Sequence, residues 1–194
     1  MRAHRVTIDV HGNYQILQKL ALGDAAVLVR KSNMSVPEPI LKSWFWQLAC
    51  AVACLHSHGI LHQDIKGANI LLYGLSVLES QAKLGDYSLS TLILDEKGTH
   101  DIGSSYGYTP THRAPEIWER KSYSYKADVW ALGCAFYEIM YNQLLFTDQR
   151  GYPDEKASYL KSINSWVDFC NDLVPSMMPI IDHKPPVILS LIHI

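Results

Sequence analysis

The sequence has little charge of either sign in excess, few cysteines and no long apolar run. Lysine and arginine total 17 against 19 acidic residues, a net charge of −2. That balance gives no electrostatic case for nucleic acid or an anionic membrane as a main partner. The four cysteines, Cys50, Cys54, Cys134 and Cys170, form no Cys-x-x-Cys pair. Cys50 and Cys54 would lie one helical turn apart, poor geometry for a bridge. A reduced, soluble, intracellular chain in the cytoplasm or nucleus is the simpler reading. No run reaches transmembrane length, and the opening MRAHRVTIDVHG lacks the apolar core of a signal peptide. His56, His58 and His62 invite a metal reading, but no second Cys/His cluster at zinc-finger spacing accompanies them. Apolar residues make up 48% of the chain, which excludes global disorder.

What is present is organised around Leu61 to Leu72, LHQDIKGANILL. Asp64 and Asn69 stand five apart with Lys66 between them, flanked by apolar runs. Asp86 follows in KLGDYSLS, then Ala114-Pro115-Glu116, then Asp128-Val129-Trp130 at the opening of a hydrophobic helix. Singly, each residue has a plain reading. An Asp or Asn in a turn is usually a cap or a turn former, and a lone Lys is a solvated charge. The order Asp-x-Lys-x-x-x-x-Asn, Asp-Tyr-Ser, Ala-Pro-Glu, Asp-Val-Trp-x-x-Gly is far more specific than any member.

Together these motifs resemble the C-terminal lobe of a eukaryotic-type protein kinase, over roughly residues 14–165. The resemblance implies an α+β, protein-kinase-like fold, mostly the helical large lobe with a remnant of the small-lobe sheet. It implies a serine/threonine kinase that passes the ATP γ-phosphate to a protein hydroxyl. Such chemistry leaves the protein little covalent work; it positions groups and neutralises charge. By resemblance Asp64 is the catalytic base and Lys66 the phosphate-facing cation. Asn69 and Asp86 are the magnesium ligands, suiting a hard cation that keeps several waters. Thr109, five residues before Ala114, takes the place of a Thr that bonds the catalytic Asp and Lys. The expected cofactors are ATP and Mg²⁺, and the expected partner is a protein carrying Ser or Thr. The sequence names no regulatory partner and no subfamily: Asp-Ile-Lys-Gly-Ala-Asn resembles kinases of the mitogen-activated cascade, His-Arg-Ala-Pro-Glu the cyclin-dependent group.

Along the chain, Val6–Val10 and Tyr14–Leu20 read as strands split by His11-Gly12-Asn13. Asp24 is an expected N-cap of a short helix to about Lys31. Without the downstream motifs this is an ordinary hairpin and helix. The resemblance makes residues 1–19 a small-lobe remnant, 20–23 a hinge and 24–188 an incomplete large lobe. It adds Gln18 as gatekeeper, Lys19 and Ala21 as hinge contacts to adenine, Asp24 at the nucleotide edge and Leu71 as the floor under adenine. Ser35-Val36-Pro37-Glu38 reads as a capping box opening a helix to about His58, stopped by Gly59. Its stripe is Leu41, Phe45, Leu48, Val52 and Leu55, widened by Trp44 and Trp46. His62 takes a structural catalytic-loop position by resemblance, with His56 and His58 left as ordinary helix-end residues. Strands are expected at Ile70–Leu72 and Ala82–Leu84. A loop from Asp86 to Glu116 offers Ser104, Ser105 and Tyr106 for modification. Tyr123–Tyr141 reads as a buried helix, in which Asp128 needs hydrogen-bond partners; the family solution is the catalytic-loop backbone. A weaker helix is expected within residues 152–171.

Several features depart from the kinase pattern. Gln63 replaces the Arg that pairs with a loop phosphate, and Gln makes no charge-assisted bidentate bond. Activity is therefore expected not to depend on loop phosphorylation through this position. Asp86-Tyr87-Ser88 stands for Asp-Phe-Gly, and Ser loses access to positive φ. No glycine-rich phosphate loop, strand lysine or partner Glu precedes Asp64, and Glu116 is expected to lack its arginine. Leu189 to Ile194 is the translation of CTG TCT CTT ATA CAC ATC, which resembles a sequencing-library adapter; residues 189–194 are expected to be an artefact. The chain is thus expected to be a fragment, inactive or weak alone. The alternative function is a pseudokinase or truncated kinase-lobe scaffold that binds partners without catalysis.

Overall fold

A computed structural model of the chain describes residues 5–32, 36–93, 99–100, 108–118, 120 and 122–146. The expected helix within 152–171, residues Ser104 to Tyr106, Ser35 and the 189–194 tail lie outside the described residues.

The chain opens with an antiparallel hairpin of β1 (Arg5–Ile8) and β2 (Tyr14–Leu17), Arg5 opposite Leu17 and Ile8 opposite Tyr14. Both strands are shorter than their apolar runs. Asp9 ends the first, its Oδ1 accepting the backbone N–H of His11 (2.8 Å) and Asn13 (2.9 Å). Gly12 supplies the positive φ of 83° that the turn needs. The second strand stops at Leu17 rather than Leu20, because residues 18–20 have no strand partner and are exposed.

After β3 (Gly23–Asp24), helix α1 spans Ala25–Ser32. Asp24 Oδ1 accepts the Val27 N–H at 2.8 Å, the N-cap geometry expected of it. Helix α2 (Glu38–Ser57) starts at Pro37, which occupies the N-cap position with no side-chain cap bond. It ends as foreseen: Gly59 has φ 73° and its N–H donates to His56 O. The buried face is Leu41, Trp44, Leu48, Ala49 and Val52. Trp44 is fully buried and central rather than peripheral to the stripe, its Nε1–H donating to Ser80 O at 3.1 Å. Indole burial supplies large contact area, and that bond satisfies its polar edge.

Short β4 (Ile60–Leu61) pairs with β7 (Thr91–Leu92). Between them β5 (Ile70–Tyr73) forms the centre of a three-stranded antiparallel sheet, flanked by β3 and by β6 (Gln81–Leu84). Ile70 faces Leu84 in that register, and Leu71 pairs with Asp24. Gln47 of α2 accepts the Ala82 N–H through Oε1 at 2.8 Å, covering a donor of β6. Strand β8 (Thr99–His100) pairs with β9 (Tyr123–Ser124), with the one-turn helix α3 (Pro115–Trp118) between them. Helix α4 therefore begins at Lys126, three residues later than its apolar pattern suggests, because Tyr123 and Ser124 are spent on strand pairing. It runs to Tyr141 and ends at Asn142 in the left-handed region, φ 52°. Ala127, Ala131, Leu132, Ala135, Phe136 and Ile139 of α4 pack in one core with Trp44, Leu48, Leu61, Ile65, Ile70 and Leu72. That core carries the turn between β4 and β5 on which the polar residues gather.

Candidate active site

The turn His62 to Asn69 is polar yet almost wholly buried, so its groups must bond one another. Asp128 on α4 is fully buried and gathers four donors. Its Oδ2 accepts the His62 N–H at 2.8 Å and faces His56 Nε2 at 3.0 Å. Its Oδ1 accepts the Gln63 N–H at 3.0 Å and the Tyr108 hydroxyl at 2.9 Å. Two consecutive backbone amides are thus pinned to a helix in the core, and Gln63 sits at φ 66°. Asp128 meets the backbone of this turn, as the resemblance implies; His56 is no spare helix-end residue but one of its hydrogen-bond partners. His62 lies beneath the turn, its Nε2 3.1 Å from Gly85 O and its Nδ1 accepting the Asp64 N–H at 3.3 Å. Those partners require hydrogen on Nε2 only. Burial holds the His62 pKa below its usual value, against the pull of Asp128 and the Gly85 carbonyl.

Above this floor four side chains converge. Thr109 Oγ1 donates to Asp64 Oδ1 at 2.6 Å and accepts from Lys66 Nζ at 3.1 Å. Lys66 Nζ also lies 2.8 Å from Asp64 Oδ2. Asn69 Nδ2 donates to Asp64 O at 2.7 Å and to Asp64 Oδ2 at 2.9 Å. Burial alone would raise the Asp64 pKa, but the bonds from Lys66, Thr109 and Asn69 outweigh it, leaving the pKa below the ordinary carboxylate value. The group is an ionised acceptor at neutral pH, held by three donors.

Asp86 stands just beyond β6, next to Gly85, whose N–H donates to Asn69 O at 2.8 Å. Asp86 is exposed and itself takes the positive φ, 57°, that glycine would favour; Ser88 does not. Ser88 reaches back with its N–H (3.2 Å) and hydroxyl (2.7 Å), both to Asp86 Oδ1. The second Asp86 oxygen is left clear of both donors. Both amide hydrogens of Asn69 go to Asp64, so its oxygen is the end left to meet a cation. One carboxylate oxygen and one amide oxygen suit a hard divalent ion that keeps several waters.

The remaining expected residues lie at the edge. Gln18 and Lys19 are exposed in the connection after β2, and Ala21 is half-buried before β3. Asp24 serves as the cap of α1, and Leu71 is half-buried in the central strand beside it. Besides His56, three residues carry contacts that the sequence pattern does not signal. Glu138 of α4 accepts the Gly67 N–H at 3.1 Å and lies 3.5 Å from His112 Nε2. A Cβ at Gly67 would meet Glu138 Oε2 at 2.6 Å and Ala26 Cβ at 2.8 Å, so that position needs glycine. Burial would raise the Glu138 pKa, but His112, the Gly67 amide and Arg30 hold it low. Tyr108, and Tyr123 beneath Gln63, are the others. Their partners lie tens of residues away, which no local pattern signals.

Comparison with known proteins bears on the family. Residues 7–184 match the family model for the protein kinase domain. The serine/threonine-protein kinase Nek4 of the mouse is 37% identical over 112 residues, 58% of this chain and 13% of that protein. A putative serine/threonine-protein kinase A of Trypanosoma brucei brucei is 44% identical over 96 residues, 50% of this chain and 21% of that protein. The serine/threonine-protein kinase Nek6 of rice is 34% identical over 143 residues, 73% of this chain and 24% of that protein. The chain spans less than a quarter of the length of each of these relatives. The match over most of its length settles its kinship: the chain belongs to the protein kinase domain family.

Proposed function

We propose that the chain contributes the catalytic centre of a serine/threonine protein kinase that transfers the ATP γ-phosphate to a protein hydroxyl. The observation that carries this reading is the closed set of bonds joining Asp64, Lys66, Asn69 and Thr109. Asp64, ionised and acceptor-only, takes or orients the proton of the substrate hydroxyl. Thr109 and Asn69 fix its two oxygens. Lys66 supplies positive charge on the side where the transferring group develops negative charge. The family generally uses ATP with Mg²⁺; Asn69 and Asp86 would hold the ion, which when bound neutralises phosphate charge. Gln18, Lys19, Ala21, Asp24 and Leu71 are the proposed adenine-side residues. In this reading residues 24–188 belong to the helical large lobe, 20–23 to the hinge, and the β1–β2 hairpin to the small-lobe sheet. Protein substrates bearing Ser or Thr and a soluble cytoplasmic or nuclear setting follow from the same reading; among the described residues no helix is long and apolar enough to cross a membrane. No observation among the described residues favours a partner-binding scaffold over this reading.

The test is transfer of labelled phosphate from ATP to a Ser/Thr protein by the protein at its full encoded length, beside its Asp64→Asn variant. A general base contributes about 10²–10⁴-fold, so the variant should fall by about that factor. Equal transfer by both would remove Asp64 from its role.

A further inference from the structure

We propose that Tyr108 and Tyr123 are positioning residues that, with Gln63, form a phosphate-free brace anchored on the Asp128 carboxylate, seating Thr109 on Asp64 and Lys66. This rests on the kinase reading and deepens it, by assigning what holds the site where a loop phosphate would otherwise be recruited.

The brace is a closed ring of contacts. The Gln63 N–H donates to Asp128 Oδ1, which also accepts the Tyr108 hydroxyl. The Tyr108 ring meets the Tyr123 ring edge-on, centroids 5.8 Å apart and planes at 81°. The ring closes where Gln63 Nε2–H donates to the Tyr123 hydroxyl at 2.8 Å. Gln63, Tyr108 and Tyr123 are all buried, so each bond acts in a low-dielectric setting where it is worth more than in water. Tyr108 adopts φ 70°, uncommon for an aromatic residue. The hydroxyl–carboxylate bond and the edge-on ring contact compensate that strain. The next residue is Thr109, whose hydroxyl holds Asp64. Beyond it the His112 N–H donates to Thr109 O at 2.9 Å, and Arg113 Nη2 donates to Tyr108 O at 3.0 Å. Fixing Tyr108 therefore fixes the turn that presents Thr109. Tyr123 extends the brace to β9 and so to its partner β8.

The chemistry suits a permanent rather than a switched support. Burial, reinforced by Asp128, raises the Tyr108 pKa well above the ordinary 10, and the same causes push Tyr123 up to about 12. Both hydroxyls stay protonated through the physiological range. Gln63 offers a neutral donor that a tyrosine oxygen accepts, where arginine would seek an anion. No phosphate is needed to complete the ring.

The experiment uses the full chain and reads local exchange at the His112 and Arg113 amides together with the nitrogen-15 signal of the Lys66 ammonium. Tyr108→Phe should speed exchange at both amides by about tenfold or more, the amount one hydrogen bond to a charged acceptor supplies. It should also broaden or shift the Lys66 signal. Tyr123→Phe, which keeps the edge-on aromatic contact but removes the acceptor of Gln63, should give the same pattern at smaller size, and it serves if Tyr108→Phe does not fold. Ile139→Val, a core truncation away from the ring, should lower global stability while leaving both local signals at their relative values. Unchanged signals in both tyrosine variants, or an equal change in Ile139→Val, would overturn the brace. Neither result touches the kinase reading, which stands or falls on phosphate transfer and the Asp64→Asn comparison.

Discussion

Removing the Asp128 carboxylate should show how much of the site is held from below. Asp128 is fully buried and accepts the His62 and Gln63 amides, the Tyr108 hydroxyl and a His56 ring nitrogen, all between 2.8 and 3.0 Å. In Asp128→Asn the amide oxygen can keep Gln63 and Tyr108. The new NH₂ then faces His62 N–H and His56. His56 can turn its acceptor nitrogen to the amide, but the backbone donor of His62 cannot adapt. One buried unsatisfied donor costs about 1–3 kcal/mol, so Asp128→Asn should cost about 2 kcal/mol. In Asp128→Ala all four donors lose their acceptor. Removing the buried charge and admitting water offset part of that, leaving a cost of about 4 kcal/mol or more. At about 2–4 °C per kcal/mol for a chain of this size, Tm should fall by about 4–8 °C for Asn and about twice that for Ala. Urea unfolding followed by the fluorescence of buried Trp44 and Trp130 gives the totals. Hydrogen exchange at the His62 and Gln63 amides shows whether the loss is local. An Asp128→Ala chain within about 1 kcal/mol of the parent, with those amides still protected, would refute the claim that α4 carries the turn.

Other substitutions test other contacts. Gly67→Ala should destabilise by about 1–3 kcal/mol by overpacking, because its Cβ would meet Glu138 Oε2 at 2.6 Å; the loss should shrink in a Glu138→Ala background, and urea titration of the double variant checks it. The Glu138 pKa lies below the ordinary 4.5, so its stabilising contribution is complete above that value and is lost as pH falls through the lower folded value. Glu138→Gln should therefore flatten stability against pH in the acid range, read by thermal unfolding at stepped pH; an unchanged slope would count against it. Trp44→Ala should cost about 3–5 kcal/mol, measured by urea unfolding, since the indole is fully buried and bonded to Ser80 O.

Much of the bonded cluster of Asp64, Lys66, Asn69 and Thr109 was legible because its members are close in sequence or occupy strongly spaced motifs. Asp64, Lys66 and Asn69 sit within six residues, and Thr109 is fixed by its distance from Ala114. Asp24 as a cap and Gly59 as a helix stop were legible for a similar reason, each acting on residues one turn away. What escaped was long-range. His56 bonds a residue 72 positions on, Glu138 one 71 positions back, and Gln63 one 60 positions on. Periodicity cannot signal such pairs, since each partner taken alone reads as a helix-end, surface or turn residue. The start of α4 lies beyond what the apolar pattern can mark, because Tyr123 and Ser124 continue that pattern and only pairing with β8 makes them strand.

The most direct test of the central claim is paramagnetic line broadening by Mn²⁺ with ATP, Mn²⁺ standing in for Mg²⁺. The proposal that Asn69 and Asp86 share one cation predicts selective loss of the Asn69 side-chain amide signal and the Asp86 backbone signal, abolished by Asp86→Asn. Broadening that spares both residues, or that persists unchanged in Asp86→Asn, would contradict it.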